Sequence, residues 1–179
     1  MFDTTISLRT AALAACAVLA CALPARADSP FSLEAGPQFG LQSSGRSAAG
    51  NVATDLGVNY DFGPRTVIPI RASLQIENVN GTNGAFGNLH QNAFGIAGRL
   101  TTPLYAGFGV SVYTTSAAVD SPTALQYHAT SVGTNYFVGQ RVLSLPGGSA
   151  FSLQATYKQI PAFAGIDTSA VGVGVRVQF

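Results

Sequence analysis

Apolar and polar residues alternate at every second position in eight separate segments of this chain. Side chains of a β-strand point alternately to its two faces, so each segment predicts a strand with one apolar and one polar face. The apolar face carries no charged residue in any of them. The segments are 31–41, 51–62, 67–77, 92–102, 104–114, 130–139, 150–158 and 170–179.

The charged residues of these segments all lie on the polar face, and they are Glu34, Asp55, Asp61, Arg71, Glu77, Arg99, Lys158 and Arg176. A basic side chain facing lipid near the bilayer midplane costs about 2–4 kcal/mol, so in a membrane only the apolar faces can point outward. The polar faces, rich in Gly, Ala and Ser, suit a narrow lumen better than water. Backbone groups in lipid must all be hydrogen-bonded, which requires closure of the sheet. The sequence therefore predicts an all-β fold, an eight-stranded antiparallel up-and-down transmembrane β-barrel.

The connections between the predicted strands alternate in length, as in outer-membrane barrels with short periplasmic turns and long external loops. The short ones are 63–66 and 101–103, and the long ones, rich in Gly, Asn and Ser, are 42–50, 78–91 and 116–129. Two connections depart from this rule, because 140–149 is long for a turn and 159–167 is short for a loop.

Residues 1–27 are typical of a secretory signal peptide. Arg9 precedes an apolar stretch over 10–23, and "ARA" at 25–27 is a small-residue cleavage site. We expect cleavage after Ala27 and a single barrel domain over 28–179. The alternative is a lipoprotein, with a lipid anchor on Cys16 or Cys21, the two cysteines of the sequence.

Charge excludes several classes of partner. Removing Arg9, Arg26 and Asp3 with the signal leaves seven of the nine basic residues and seven of the eight acidic ones. A net charge of zero argues against nucleic acid and against a polybasic membrane patch.

The final segment has Val171, Val173, Val175, Val177 and Phe179 on its apolar face. It resembles the C-terminal assembly signal of bacterial outer-membrane β-barrels, which implies recognition of this strand by the barrel assembly machinery. The whole plan resembles the small eight-stranded barrels that include OmpX, Ail and the OmpA barrel. That resemblance implies a bacterial outer-membrane protein, monomeric, in contact with outer-membrane lipid and lipopolysaccharide, with no cofactor and no metal.

Aromatic residues near the predicted strand ends are candidates for the girdles that flank the apolar band of such barrels. They are Phe31, Phe39, Tyr60, Phe62, Tyr105, Phe151, Tyr157 and Phe179.

The charges of the polar face balance, and buried charges must pair. We therefore expect a lumenal ion-pair network rather than a gated ion path, with Glu34 and Arg176 adjacent across the closing seam. Its members are Glu34, Asp55, Arg71, Glu77, Arg99, Lys158 and Arg176.

For function, the sequence favours a non-enzymatic envelope or surface protein, structural or acting through its external loops. Phe86, in the Asn/Gly-rich stretch 80–88, is a candidate contact residue there. One alternative is a lipid-modifying enzyme, because "HAT" at 128–130 resembles the His-x-Ser signature of lipid A deacylases. His128 and Thr130 would then need an orienting acid, and Asp120 is the nearest in sequence. The other alternative is a periplasmic lipocalin-like carrier, whose oily face would point inward. His90 has no neighbouring ligand that would make a metal site.

Overall fold

The computed structural model describes residues 30–44, 46, 50, 52–62, 70–84, 87–118, 126–145, 149–162 and 165–179. These residues form eight β-strands. The strands are β1 (Phe31–Gly40), β2 (Ala53–Phe62), β3 (Ile70–Gly84), β4 (Gly87–Leu100), β5 (Leu104–Ala118), β6 (Gln126–Ser144), β7 (Ala150–Gln159) and β8 (Ala170–Gln178). The predicted signal segment 1–27 and Phe86 lie outside the described residues.

The strands close into a barrel in sequence order, and each pairs antiparallel with its neighbours. β1 pairs with β8, with Ser32 opposite Gln178 and Gly40 opposite Ala170. Beyond β8, the amide N–H of Phe179 donates to the carbonyl of Phe31 at 3.2 Å. The predicted all-β, eight-stranded antiparallel barrel is confirmed.

The apolar faces point outward and the polar faces point into the lumen. Along β8, Val171, Val173 and Val175 are exposed, Val173 to 55 %, whereas Arg176 is 1 % exposed. The alternation predicted from sequence thus has its apolar row outside, the reverse of a lipocalin-type barrel. Within the described ranges, no helix is long and apolar enough to cross a membrane.

Outward aromatic rings meet across neighbouring strands. Phe31 lies 5.0 Å from Tyr60, and Tyr136 lies 5.2 Å from Phe108 and 6.1 Å from Tyr157, between ring centroids. Two of the predicted girdle residues do not belong to this outer surface. Tyr105 points into the lumen and Phe179 is 4 % exposed, so the expectation that they face outward was wrong.

Four strands, β3 to β6, are longer than their predicted segments by three residues or more. The predicted loop 78–91 is mostly a continuation of the β3–β4 hairpin, in which Asn78 pairs with Asn92 and Asn80 with His90. β5 and β6 extend the same way, with Ser116 opposite His128. These extensions are polar on their outer face, so their composition is that of a loop although their backbones are paired. The predicted connection 140–149 is likewise shorter, because β6 continues to Ser144 through an irregularity between Arg141 and Leu143.

We call the end of the barrel that holds Phe31 and Gln178 the base, and the opposite end, which holds Gly40 and Ala170, the tip. Large inward side chains fill the lumen, and glycines opposite them make the room. A Cβ on Gly107 would lie 2.2 Å from the Phe137 ring, and one on Gly139 would lie 2.3 Å from the Tyr105 ring. Because the interior is occupied by side chains, the lumen is packed as expected for eight strands.

Candidate functional site: the charged lumen

A lysine between two carboxylates lies in the tip half of the lumen. Lys158 Nζ is 2.9 Å from Asp55 Oδ2 and 2.6 Å from Glu77 Oε2. Gln38 Nε2 also donates to Asp55 Oδ2, at 2.6 Å. The alternation turns these side chains, from β7, β2, β3 and β1, into one narrow space. Their mutual contacts offset the large desolvation penalty of burying three charges.

Glu34 lies opposite Arg176 in the β1–β8 register. Its carboxylate accepts a hydrogen bond from Gln154 Nε2 at 2.5 Å, and Gln154 Oε1 accepts one from the Tyr105 hydroxyl at 3.0 Å. The ion pair that Arg176 forms is with Asp61, at 3.7 Å from Nη2 to Oδ1. Glu34 is therefore linked to other lumenal side chains through the Gln154 amide and, beyond it, the Tyr105 hydroxyl. Arg176 instead pairs with Asp61 of β2.

Arginines dominate the base half of the lumen. Asp61, near the end of β2, forms an ion pair with Arg99 Nη2 as well as the longer one with Arg176. Both guanidiniums are buried, with Arg99 6 % and Arg176 1 % exposed. Arg99 Nε and all three Arg176 nitrogens form no hydrogen bond to described residues, and Asp61 Oδ1, 3.7 Å from Arg176 Nη2, forms none either.

A cavity of about 210 Å³ lies at the base. Three arginines line it, Arg71, Arg99 and Arg141, and no Asp or Glu among the described residues does so. Arg71 and Arg99 are register partners on β3 and β4, so their like charges are adjacent. Neither Arg71 nor Arg141 has an ion pair to a described carboxylate. The cavity is therefore lined by positive charge that the surrounding side chains only partly compensate.

Residues at the two ends of the β7–β8 connection pack into the lumen on its tip side. Ile160, 2 % exposed, packs against Ala93 and Tyr113. Its backbone N–H donates to Ser169 Oγ at 3.2 Å, which ties the two ends of the connection together. Beside it, Gln91 Nε2 donates to Thr115 Oγ1 at 2.8 Å.

The residues proposed for lipid chemistry lie on the outer surface. His128 and Thr130 are both exposed on β6, opposite Ser116 and Thr114 of β5. Asp120, their nearest acid in sequence, lies outside the described residues. His90, on the outer face of β4, contacts Asn80 Oδ1 through Nδ1. Over the described ranges, no group of three or more His, Cys, Asp or Glu side chains could hold a metal ion.

The sequence predicted a single lumenal ion-pair network, whereas the structure contains two separate groups of charged side chains. The predicted members Asp55, Glu77 and Lys158 meet in the tip cluster, whereas Arg99 and Arg176 meet around Asp61. Asp61 was recognised as lumenal without being assigned a partner. The sequence pattern does not identify Arg141 as lumenal, because it lies two residues beyond the predicted strand 130–139, within the predicted connection 140–149.

Comparison with known proteins agrees with this architecture at the level of the fold. No protein-family model matches the chain, and no curated protein matches it. Among solved structures, Neisserial surface protein A matches with a TM-score of 0.55 and 15% sequence identity, over 84% of this chain and 98% of that one. At this identity the likeness is one of fold.

Proposed function

We propose that this chain is an integral outer-membrane protein with a filled lumen, structural or acting at the cell surface through the loops at its tip. One observation carries the proposal: the barrel is closed, with apolar side chains outside and the charged side chains of its strands inside. Such a surface is stable in lipid, where the closed sheet leaves no unpaired edge. The similarity in fold to a protein named as a Neisserial surface protein supports the same location.

The filled lumen favours a role without conductance. Tyr113 and Phe137 are buried inside it, and Ile160 packs against Tyr113 on the tip side. We infer that partners meet the protein from outside: outer-membrane lipid and lipopolysaccharide around the barrel, and the assembly machinery at β8. The proposal includes no cofactor and a monomeric state.

Fractionation of the full chain after expression in a Gram-negative host tests this location. We expect the protein in the outer-membrane fraction, with a gel mobility in detergent that changes on boiling. Recovery in the soluble periplasmic fraction would contradict the proposal.

A pair of lysine substitutions tests which surface faces lipid. Val173→Lys, in the middle of β8, should abolish recovery in the outer membrane, whereas Val177→Lys, close to the base, should reduce it much less. The penalty for a basic residue falls from about 2–4 kcal/mol at the midplane to about 0–1 kcal/mol near the interface. Equal recovery of both variants would argue against a bilayer around β8.

A lipid-modifying activity is the second candidate, because His128 and Thr130 both face outward toward the tip. A threonine nucleophile activated by a histidine would meet a membrane lipid there. Mass spectrometry of lipid A from cells with the protein, without it, and with Thr130→Val tests this role. Loss of an acyl chain only with the unsubstituted protein would establish the enzyme, and unchanged lipid A in all three would exclude it.

A further inference from the structure

The base cavity combines positive charge with a small volume. Arg71, Arg99 and Arg141 reach it from three different strands, β3, β4 and β6. Asp61 is the carboxylate paired with Arg99, and it also serves Arg176. Over the described part of the base, two guanidiniums, those of Arg71 and Arg141, have no carboxylate partner. An added anion would therefore be attracted by charge that is not already neutralised.

Buried hydrogen-bond donors near the cavity also favour a bound anion. Arg99 Nε has no hydrogen-bond partner, and the nearby Arg176 guanidinium forms none although the side chain is almost fully buried. A buried charged donor without an acceptor costs more than a neutral one, so such donors in a native protein call for an explanation. An oxyanion in the cavity would give Arg99, which lines it, the acceptor that its Nε lacks.

The size and chemistry of the cavity define the class of anion. At about 210 Å³ it is smaller than the roughly 300–1,000 Å³ of sites for drug-sized ligands. Guanidinium groups bind the oxygens of phosphate in paired hydrogen bonds, and the hydroxyls of Thr101 and Ser152 add donors to the lining. We propose that the base cavity binds a phosphate group, either as inorganic phosphate or as the terminal phosphate of a small ester.

The proposal goes beyond the function proposed above, because it concerns a ligand site inside the barrel rather than its location. The same phosphate chemistry is available from a soluble ion and from a lipid headgroup. Phosphate binding depends on the folded lumen alone, so it can be measured in micelles whether or not the cell places the protein in its outer membrane.

Isothermal titration of the folded full chain with inorganic phosphate tests the site, in a maltoside detergent at constant ionic strength. We expect saturable binding that chloride does not reproduce. Arg141→Gln and Arg71→Gln should each weaken it about tenfold or more, because each removes a charged donor. Arg46→Gln is the matched control, since Arg46 is an exposed arginine near the tip whose side chain bonds the carbonyls of Gly40 and Leu41. It should leave phosphate affinity unchanged.

Each variant is first shown to be folded by its heat-dependent gel mobility, and Arg141, exposed at the rim, is the safer of the two substitutions. A further titration in mixed micelles containing phosphatidic acid, whose headgroup is a terminal phosphate, identifies the source. Competition with inorganic phosphate would assign the site to a lipid headgroup, and its absence would assign it to a soluble phosphate; both support the proposal. No saturable binding to the folded protein, or equal loss in Arg46→Gln and Arg141→Gln, would overturn it.

Discussion

In the tip half of the lumen one lysine lies between two carboxylates, whereas in the base half two buried arginines share the carboxylate of Asp61. On the tip side Ile160 packs into the lumen against Ala93 and Tyr113, but the base contains a cavity of about 210 Å³. The same strands run through both halves, so the contrast comes from individual inward positions.

This contrast shows that a balanced total charge conceals an uneven distribution. Along β3, Arg71 lies toward the base and Glu77 lies six residues nearer the tip, and β2 places carboxylates in both halves. A paired cluster is expected to stabilise the fold through mutual contacts. A positively charged cavity with unsatisfied donors is better suited to holding a ligand than to stabilising the barrel.

The largest expected effect is at the tip. Lys158→Met should leave Asp55 and Glu77 buried together without their cation and lower the free energy of unfolding by about 3–5 kcal/mol. Urea unfolding of the refolded protein, followed by tryptic protection or gel mobility, measures the change. Adding Asp55→Asn and Glu77→Gln to the same chain should recover much of the loss, because the triple variant buries no unpaired charge. A loss below 1 kcal/mol would show that the cluster does not distinguish the tip.

Truncating Ile160 on the tip side should have the next largest effect. Ile160→Ala deletes a fully buried aliphatic group between Ala93 and Tyr113 and should destabilise the fold by about 2–4 kcal/mol in the same unfolding assay. Ile96→Ala is the control, since Ile96 faces outward and lipid or detergent chains can replace its contacts. Similar losses for both variants would mean that Ile160 is not packed in the lumen.

A smaller effect is expected at the base. Asp61→Asn removes the carboxylate from Arg99 and Arg176 and should lower the free energy of unfolding by about 1.5–3 kcal/mol, less than Lys158→Met. The asparagine keeps one side-chain oxygen that can accept a hydrogen bond from Arg99, which reduces the penalty. If Asp61→Asn proves the more damaging of the two substitutions, the comparison between tip and base is reversed.

The smallest expected effect on stability is that of removing an exposed arginine at the base. Arg141→Gln should change the free energy of unfolding by no more than about 0.5 kcal/mol, because Arg141 is exposed and forms no ion pair with a described residue. Its stability is measured beside the phosphate titration, so that a loss of binding can be separated from a loss of folding. A marked destabilisation would show that the base arginines support the fold directly.

Much of the fold follows from the sequence, because alternation fixes which side chains share a face. The exposure of the valines of β8 and the burial of Arg99, Lys158 and Arg176 agree with it. The tip-side parts of β3 to β6 could not be distinguished from loops by sequence. Asn78, Asn92 and Ser116 are polar at positions on the outer face, which is apolar nearer the base. Backbone pairing continues there without any signal in hydrophobicity.

The candidate site was less accessible to sequence reasoning. The period of a strand gives the face of a residue, but contacts across the lumen also depend on strand register and on side-chain reach. Asp61 meets Arg99 from a strand two positions away around the barrel, which no spacing along the chain indicates. The inward turn of Ile160 and the burial of Phe179 depend equally on tertiary packing.

The pairing of β1 with β8 has a consequence for the order of assembly. Every other ladder joins strands that are neighbours along the chain, but this one joins Ser32 to Gln178. Loop closure over so many residues is slow compared with hairpin formation. Until β1 and β8 pair, the sheet has two unpaired edge strands that can pair with any other extended polypeptide. Correct assembly of the closed sheet therefore requires that neither edge pairs with another chain before β1 and β8 meet.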